Sequence, residues 1–318
     1  MGFMKQFKQL AFKIYELLWR LIAARRTVIL PPPAVSDSIS KPIFLIGCPR
    51  SGTTLLRVIL DSHPNVACPA ETFYLLDLEK FWSSDDAAKG LQEMGYDREH
   101  VRRKLRDFAG YFLRGYAQSR GKTRVAEKTP HYVACLDFIE EMFGPEAQYV
   151  MLYRHPFDMV MSMVNHYTID WHPVVGQYVA QEPDRYSAYA RFWADHVSKM
   201  LDFESRHADR CIRVRYEDVV KNTEPTLRRM FDGLNEVWSD EVLTYYNKQH
   251  DLGRGDRKAL MQKGIKPSVD NWRALDAEVL HRMAAIVRKP ASQLGYDDLE
   301  LPTNGQPRVP AAVSDQSR

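Results

Sequence analysis

The stretch FLIGCPRSGTTLLRVILDSHP, residues 44–64, joins a buried-strand run to a glycine-bounded loop and then to an amphipathic helical pattern. That succession is how a phosphate-binding loop is built, because backbone N–H groups of the turn and the positive end of the helix dipole converge on one point. Gly47 and Gly52 keep the G-x-x-x-x-G spacing, but Thr53 and Thr54 follow where the pattern G-x-x-x-x-G-K-[ST] requires a lysine. The loop therefore holds an anion without the residue that reaches β- and γ-phosphates. Arg50 offers a fixed charge and a bidentate fork, and Ser51, Gly52, Thr53 and Thr54 add hydroxyl and backbone donors. The competing explanation is an ordinary strand-turn-helix with incidental glycines. The coincidence of a buried strand, both glycines, an arginine and a Ser-Gly-Thr-Thr run weighs against it.

Strands are expected at Ile43–Ile46, Arg124–Ala126, Tyr149–Tyr153 and Ile212–Arg215, each followed by a helical pattern. Helices are expected near 53–62, 71–82, 97–118, 131–143, 156–167, 185–207, 224–234, 239–248 and 274–288. Alternation of this kind predicts an α/β fold: a P-loop-type parallel sheet with helices on both faces, and ligands beyond the carboxyl ends of the strands. With 318 residues, 45% of them hydrophobic, the chain can bury one large core, and one domain is favoured over two. A formal net charge of +3 excludes a broad nucleic-acid footprint and makes any anion site local. Cys48, Cys68, Cys135 and Cys211 are far apart with no metal-ligand spacing, so neither a disulfide framework nor a metal is expected, and a reducing, cytoplasmic setting is.

Residues 1–26 carry Lys5, Lys8, Lys13, Arg20, Arg25 and Arg26 against Glu16, interleaved with apolar residues at helical spacing. The pattern predicts an N-terminal amphipathic helix, too interrupted to span a membrane, that docks on protein, associates with a second copy or makes peripheral membrane contact. A proline-rich linker covers 27–41, the main domain 42–296, and a polar, flexible tail 297–318.

The loop CPRSGTTLL resembles that of the sulfotransferase family, whose P-R/K-S-G-T-T hallmark holds the 5′-phosphosulfate of 3′-phosphoadenosine-5′-phosphosulfate. The resemblance explains the missing lysine, since this donor has no β–γ phosphate pair and no metal to organise, and it implies a catalytic role for Arg50, inside the loop and facing the sulfonate and the bridging oxygen. It runs from about Pro42 to Trp272. It implies that Arg154 and Ser162 in YVMLYRHPFDMVMSM bind the 3′-phosphate, and that Lys263, Gly264 and Lys266 in MQKGIKPSVDNW close over it. Glu71 is similar to the general base of the branch that includes tyrosylprotein and bacterial enzymes, and Lys128 to the cation that stabilises the departing phosphate, with Glu127 its expected structural partner. The alternative reading of Glu71 is an acid at a helix N-terminus, and of Lys128 a surface ion pair.

His131, His155 and His166 rank below Glu71 as bases, and Glu217 and Asp218 read as helix-start and sheet-packing residues rather than metal carboxylates. The implied reaction moves a sulfonate in line to a hydroxyl or amine of a small-molecule, lipid, sugar or peptide acceptor. Residues 167–189, with Trp171, His172, Tyr178 and Tyr186, are expected to line or cover the acceptor cleft. A nucleotide kinase or hydrolase and a non-catalytic adenosine bisphosphate binder are the alternatives; the kinase or hydrolase differs in needing Mg²⁺ and ATP, the binder in showing no turnover.

Overall fold

A computed structural model describes residues 41–166, 173–251, 253, 264, 265, 267–296 and 299. The expected N-terminal helix, most of the linker and nearly all of the tail lie outside the described residues, as do Lys263, Lys266, Tyr167, Trp171 and His172. Described elements run β1 (Ile43–Gly47), α1 (Thr53–Ser62), β2 (Val66–Ala67), α2 (Tyr74–Trp82), α3 (Asp85–Glu93), α4 (Arg98–Ser119) and β3 (Arg124–Glu127). A 3-10 turn, Pro130–Cys135, then leads into α5 (Leu136–Phe143), β4 (Gln148–Tyr153), α6 (Pro156–Val164), α7 (Pro173–Gln181) and α8 (Arg185–Arg206). β5 (Cys211–Arg215), α9 (Tyr216–Lys221), α10 (Thr223–Gly233) and α11 (Ala277–Gln293) complete the order.

Five parallel strands form one sheet in the order β2-β3-β1-β4-β5. Every residue of β1 is buried, and alternate side chains enter opposite halves of the core. Phe44 and Ile46 pack with Tyr149, Met151 and residues of α4, α5, α8 and α11, whereas Ile43 and Leu45 pack with Val150, Leu152 and residues of α1, α9 and α10. Helices thus cover both faces, which is why β1 reads as an unbroken apolar run. Because β3 and β4 flank β1 on opposite sides, the chain changes direction there and opens a crevice at the carboxyl end of β1. The loop that follows β1 is delivered into that crevice.

Several boundaries moved for local reasons. The helix expected from residue 71 starts at Tyr74, because Phe73 takes a left-handed φ of 61° and the Thr72 amide donates to Thr129 Oγ1 across the chain. Residues 239–248 form two short 3-10 turns, since Lys248 Nζ donates to Ser62 O at 2.7 Å and His250 Nδ1 meets Asp61 Oδ2 at 2.7 Å, pinning the segment to α1. The last helix is shifted to Ala277–Gln293: Asp276 caps it by accepting from Glu278 N, and buried Pro290 is accommodated inside it. β2, of two residues, and α3, which is capped by Ser84 but buries none of its residues, were not anticipated.

Candidate active site

Gly47 ends β1 so close to β4 that a Cβ would lie 2.9 Å from Leu152 O. Only glycine lets the loop leave the sheet there. Gly52 holds φ at +93°, and a Cβ on it would meet the Tyr216 ring at 2.4 Å. Arg50 is also left-handed, with φ 67°, a conformation that costs a side-chain-bearing residue about 1–3 kcal/mol. These two turns flank Ser51, whose amide donates to Cys48 O at 3.1 Å, while Leu56 N donates to Gly52 O and opens α1. A glycine cap has no side chain to satisfy the first N–H groups of α1, and the helix has no acid in its first turn. With Ser51, Thr53 and Thr54 buried around it, the helix N-terminus is a seat for an anion. Burial pushes the Cys48 thiol up to about 12, so the loop cysteine packs rather than reacts.

One side of the seat is built by Arg154, at the end of β4. Its Nη1 donates to Arg50 O at 2.6 Å, its Nη2 donates to Ser268 O, and its guanidinium lies 4.6 Å from the Tyr216 ring centre. Nε is buried without a hydrogen-bond partner among the described residues. Burial holds the guanidinium below its usual range. Ser162, two turns into α6, accepts from Arg50 Nε at 3.2 Å, so Arg154 and Ser162 are linked through Arg50. Asp158 in the first turn of α6 accepts from the amides of Asp270 and Asn271 at 2.8 and 2.9 Å, which draws Ser268–Asn271 toward Arg154. The segment following Gly264 (φ 96°) therefore reaches this side, and its Trp272 stacks on His155 with centroids 5.3 Å apart.

The other side is a buried ion pair. Lys128 Nζ lies 2.5 Å from Glu71 Oε1, with the lysine fully buried and the glutamate 13% exposed. Burial lowers the lysine pKa and the Glu71 carboxylate pulls it back up. Glu127 is not the partner that the sequence suggested. Successive strand residues point to opposite faces, so Glu127 turns away from Lys128 and accepts from Thr72 Oγ1 and Thr129 Oγ1, each at 2.9 Å.

Among the remaining candidates, the His155 amide donates to Glu217 Oε1 at 2.8 Å, and Tyr296 OH donates to Oε2 at 2.9 Å. Glu217 is thus a tie between β4, α9 and the end of α11. His131 packs against Phe73, 5.6 Å between centroids, on the Glu71 side. Tyr178 turns its ring onto Phe192 of α8. Sequence reasoning passed over Tyr216, Asp158 and Ser268, all of which shape the Arg154 side. It also passed over Arg57, whose buried fork donates to Cys68 O and Asp251 O at 3.2 and 2.8 Å. Arg57, Asp158 and Ser268 lie within the stretches singled out above and Tyr216 directly precedes Glu217, but each role depends on contacts distant in sequence.

Residues 42–240 match the profile of the Sulfotransferase family. The chain is 26% identical over 292 residues to Protein-tyrosine sulfotransferase 1 of Danio rerio, covering 87% of this chain and 79% of that protein. It is 28% identical over 282 residues to Nodulation protein NoeE of Sinorhizobium fredii, covering 80% and 65%. In fold it is similar to the sulfotransferase domain from the curacin biosynthetic pathway, with a TM-score of 0.59, 22% identity, and coverage of 81% of this chain and 99% of that one. The chain belongs to the sulfotransferase family.

Proposed function

From that membership we propose that the chain transfers a sulfonate group from 3′-phosphoadenosine-5′-phosphosulfate to an acceptor hydroxyl or amine, with Glu71 as the general base. The observation that carries the reading is the Glu71–Lys128 pair, a carboxylate and an ammonium 2.5 Å apart, the lysine directly following β3, the strand that pairs with β1. The residues present fit the donor: a glycine-lined helix N-terminus suits its 5′-phosphosulfate, and a buried arginine with an unpartnered Nε suits its 3′-phosphate. When bound, the donor supplies an activated sulfonate on a phosphate oxygen.

The loop amides, Thr53 and Thr54 hold the 5′ end, where Arg50 faces the sulfonate and its bridging oxygen as a catalytic cation, while Arg154 and Ser162 orient the 3′ end, with Lys263, Gly264 and Lys266 as further contacts. Lys128 holds the Glu71 carboxylate in place in a largely buried site. Glu71 takes the acceptor proton, and in doing so loses the charge that holds Lys128. The freed ammonium then faces the charge that builds on the departing phosphate. Peptide tyrosine heads the acceptor screen because several relatives are named for it. Small-molecule, lipid and sugar alcohols follow. Among the described residues no helix is long and apolar enough to cross a membrane.

Thermal shift tests the donor class. Adenosine 3′,5′-bisphosphate at 100 times its dissociation constant adds about 2.7 kcal/mol to stability. For a chain of this size that raises the midpoint by roughly 5 °C. ATP with Mg²⁺ should do much less, and the opposite order would sink the sulfonate-transfer reading in favour of a kinase or hydrolase. Bisphosphate binding with no turnover across radiolabelled-donor screens would instead leave a binder.

A further inference from the structure

The end of β3 carries a second acidic group that the proposed chemistry does not use. Glu127 is 1% exposed, and its Oε1 accepts from Thr72 Oγ1 and Thr129 Oγ1, both at 2.9 Å. Its Oε2 is buried with no hydrogen-bond partner among the described residues. Thr72 follows Glu71 and Thr129 follows Lys128, so a single carboxylate oxygen joins the two chain segments that bear the ion pair. The Thr72 amide adds a direct bond to Thr129 Oγ1 at 3.1 Å, and Tyr132 OH lies 2.9 Å from Thr72 Oγ1 while accepting from Leu75 N at 3.3 Å. A buried carboxylate with one oxygen unsatisfied is a poor way to stabilise a fold, because an amide or an apolar group of the same size avoids the desolvation cost. The arrangement makes sense if the charge and the strap act on what lies beside them.

We propose that Glu127 is a positioning residue: its carboxyl straps the segment carrying Glu71 to the segment carrying Lys128 and places a negative charge behind the lysine. The inference rests on reading Glu71 and Lys128 as the reacting pair. Other titratable groups interact electrostatically with Glu127: Lys128 and Glu71 themselves, Tyr74 on α2, Tyr132 and Cys135 in the turn after β3, and Cys68 after β2. Burial pushes the Glu127 carboxyl up to about 7, against the pull of the two hydroxyls and of Lys128.

Two variants separate strap from packing. Glu127→Gln keeps the shape and an oxygen for the hydroxyls but removes the charge; Thr129→Val keeps the charge but cuts the strap on the Lys128 side. The readout is the 13Cε resonance of Lys128 in the lysine-labelled full chain, assigned with Lys128→Arg and followed against pH without donor or acceptor. In Glu127→Gln the Lys128 midpoint should fall by about 1 in pH, since a carboxylate electrostatically coupled to the lysine has been lost. In Thr129→Val it should also move, because the Glu71 contact is no longer held in register. Lys128 titrating as in the parent in both variants, with only the melting temperature lowered, would make Glu127 a packing group and overturn the proposal. If Glu127→Gln does not fold, Thr129→Val and Thr72→Val carry the same test. A Lys128 that responds in a chain that does not bind adenosine 3′,5′-bisphosphate would keep the strap and remove the sulfonate-transfer reading, so the two failures are distinguishable.

Discussion

The two sides of the crevice are made of different materials. Around the phosphate loop the shape is backbone: left-handed Arg50 and Gly52, a helix N-terminus, and an arginine whose fork grips main-chain carbonyls. Around Glu71 the shape is side chain: an ion pair, two threonine hydroxyls and a tyrosine, gathered from segments more than fifty residues apart. A backbone cradle fits a fixed, charged group through many weak directional donors, whereas a side-chain cluster can exchange one proton and change its own charge distribution. Binding and chemistry should therefore be separable by substitution.

The sharpest test of that separation is Glu71→Gln. Turnover should fall by about 10²–10⁴ while adenosine 3′,5′-bisphosphate binds as in the parent, measured with labelled donor and by calorimetry. A parallel loss of affinity would merge the two sides into one. Gly52→Ala attacks the cradle instead. A Cβ would have to occupy space 2.4 Å from the Tyr216 ring in a left-handed backbone, so about 1–3 kcal/mol of stability should be lost, together with bisphosphate binding. A scan would register a midpoint lower by several degrees, at roughly 2 °C per kcal/mol. An unchanged midpoint would mean that the ring gives way freely.

Arg154→Ala distinguishes the ends of the nucleotide. It should weaken the 3′,5′-bisphosphate roughly 10–100-fold, the worth of a charge-assisted hydrogen bond, and leave adenosine 5′-monophosphate nearly untouched. Equal losses would assign Arg154 to holding the loop through Arg50 O and the Ser268 segment. The smallest expected effect is on stability against pH. Glu127 sits near 7 in the folded protein against an ordinary 4.5, so between these values the folded state keeps a proton that the unfolded chain has released. Its contribution is present below that window and lost as pH rises through 7. Denaturant melts should therefore show Glu127→Gln gaining on the parent between pH 5 and 8, by on the order of 2 kcal/mol. A constant difference would mean that the carboxyl is not titrating there.

Legibility in the sequence follows the same division. The loop, its strand and its helix are contiguous, and glycine spacing alone announces a left-handed turn beside a helix start. β1 and β4 were legible because parallel strands covered on both faces are near-continuous apolar runs, whereas β3 and β5, each with two charged residues, were legible as short β-rich runs followed by helical patterns. The Glu71–Lys128 contact was not. Both residues could be singled out, but which acid met the lysine depended on strand parity and on a register between segments that no local pattern encodes, and the neighbouring Glu127 was the wrong choice. Helix ends failed where tertiary bonds overrode propensity, as at Thr72 and at His250, and α3, which buries none of its residues in the core, was not anticipated.

The contact between Gly52 and Tyr216 also has a bearing on how the protein is made. Gly52 emerges early in synthesis, but the ring packed against it and stacked on Arg154 opens α9, directly after the last strand to join the sheet. A nascent chain stopped before β5 lacks one wall of the proposed nucleotide seat and the outer strand against β4. Such long-range closures are slow relative to helix formation, and domains assemble as units only once they can be made. Ribosome-bound intermediates should thus be unable to capture the nucleotide, and ligand-assisted folding can begin only after residue 216 has left the exit tunnel.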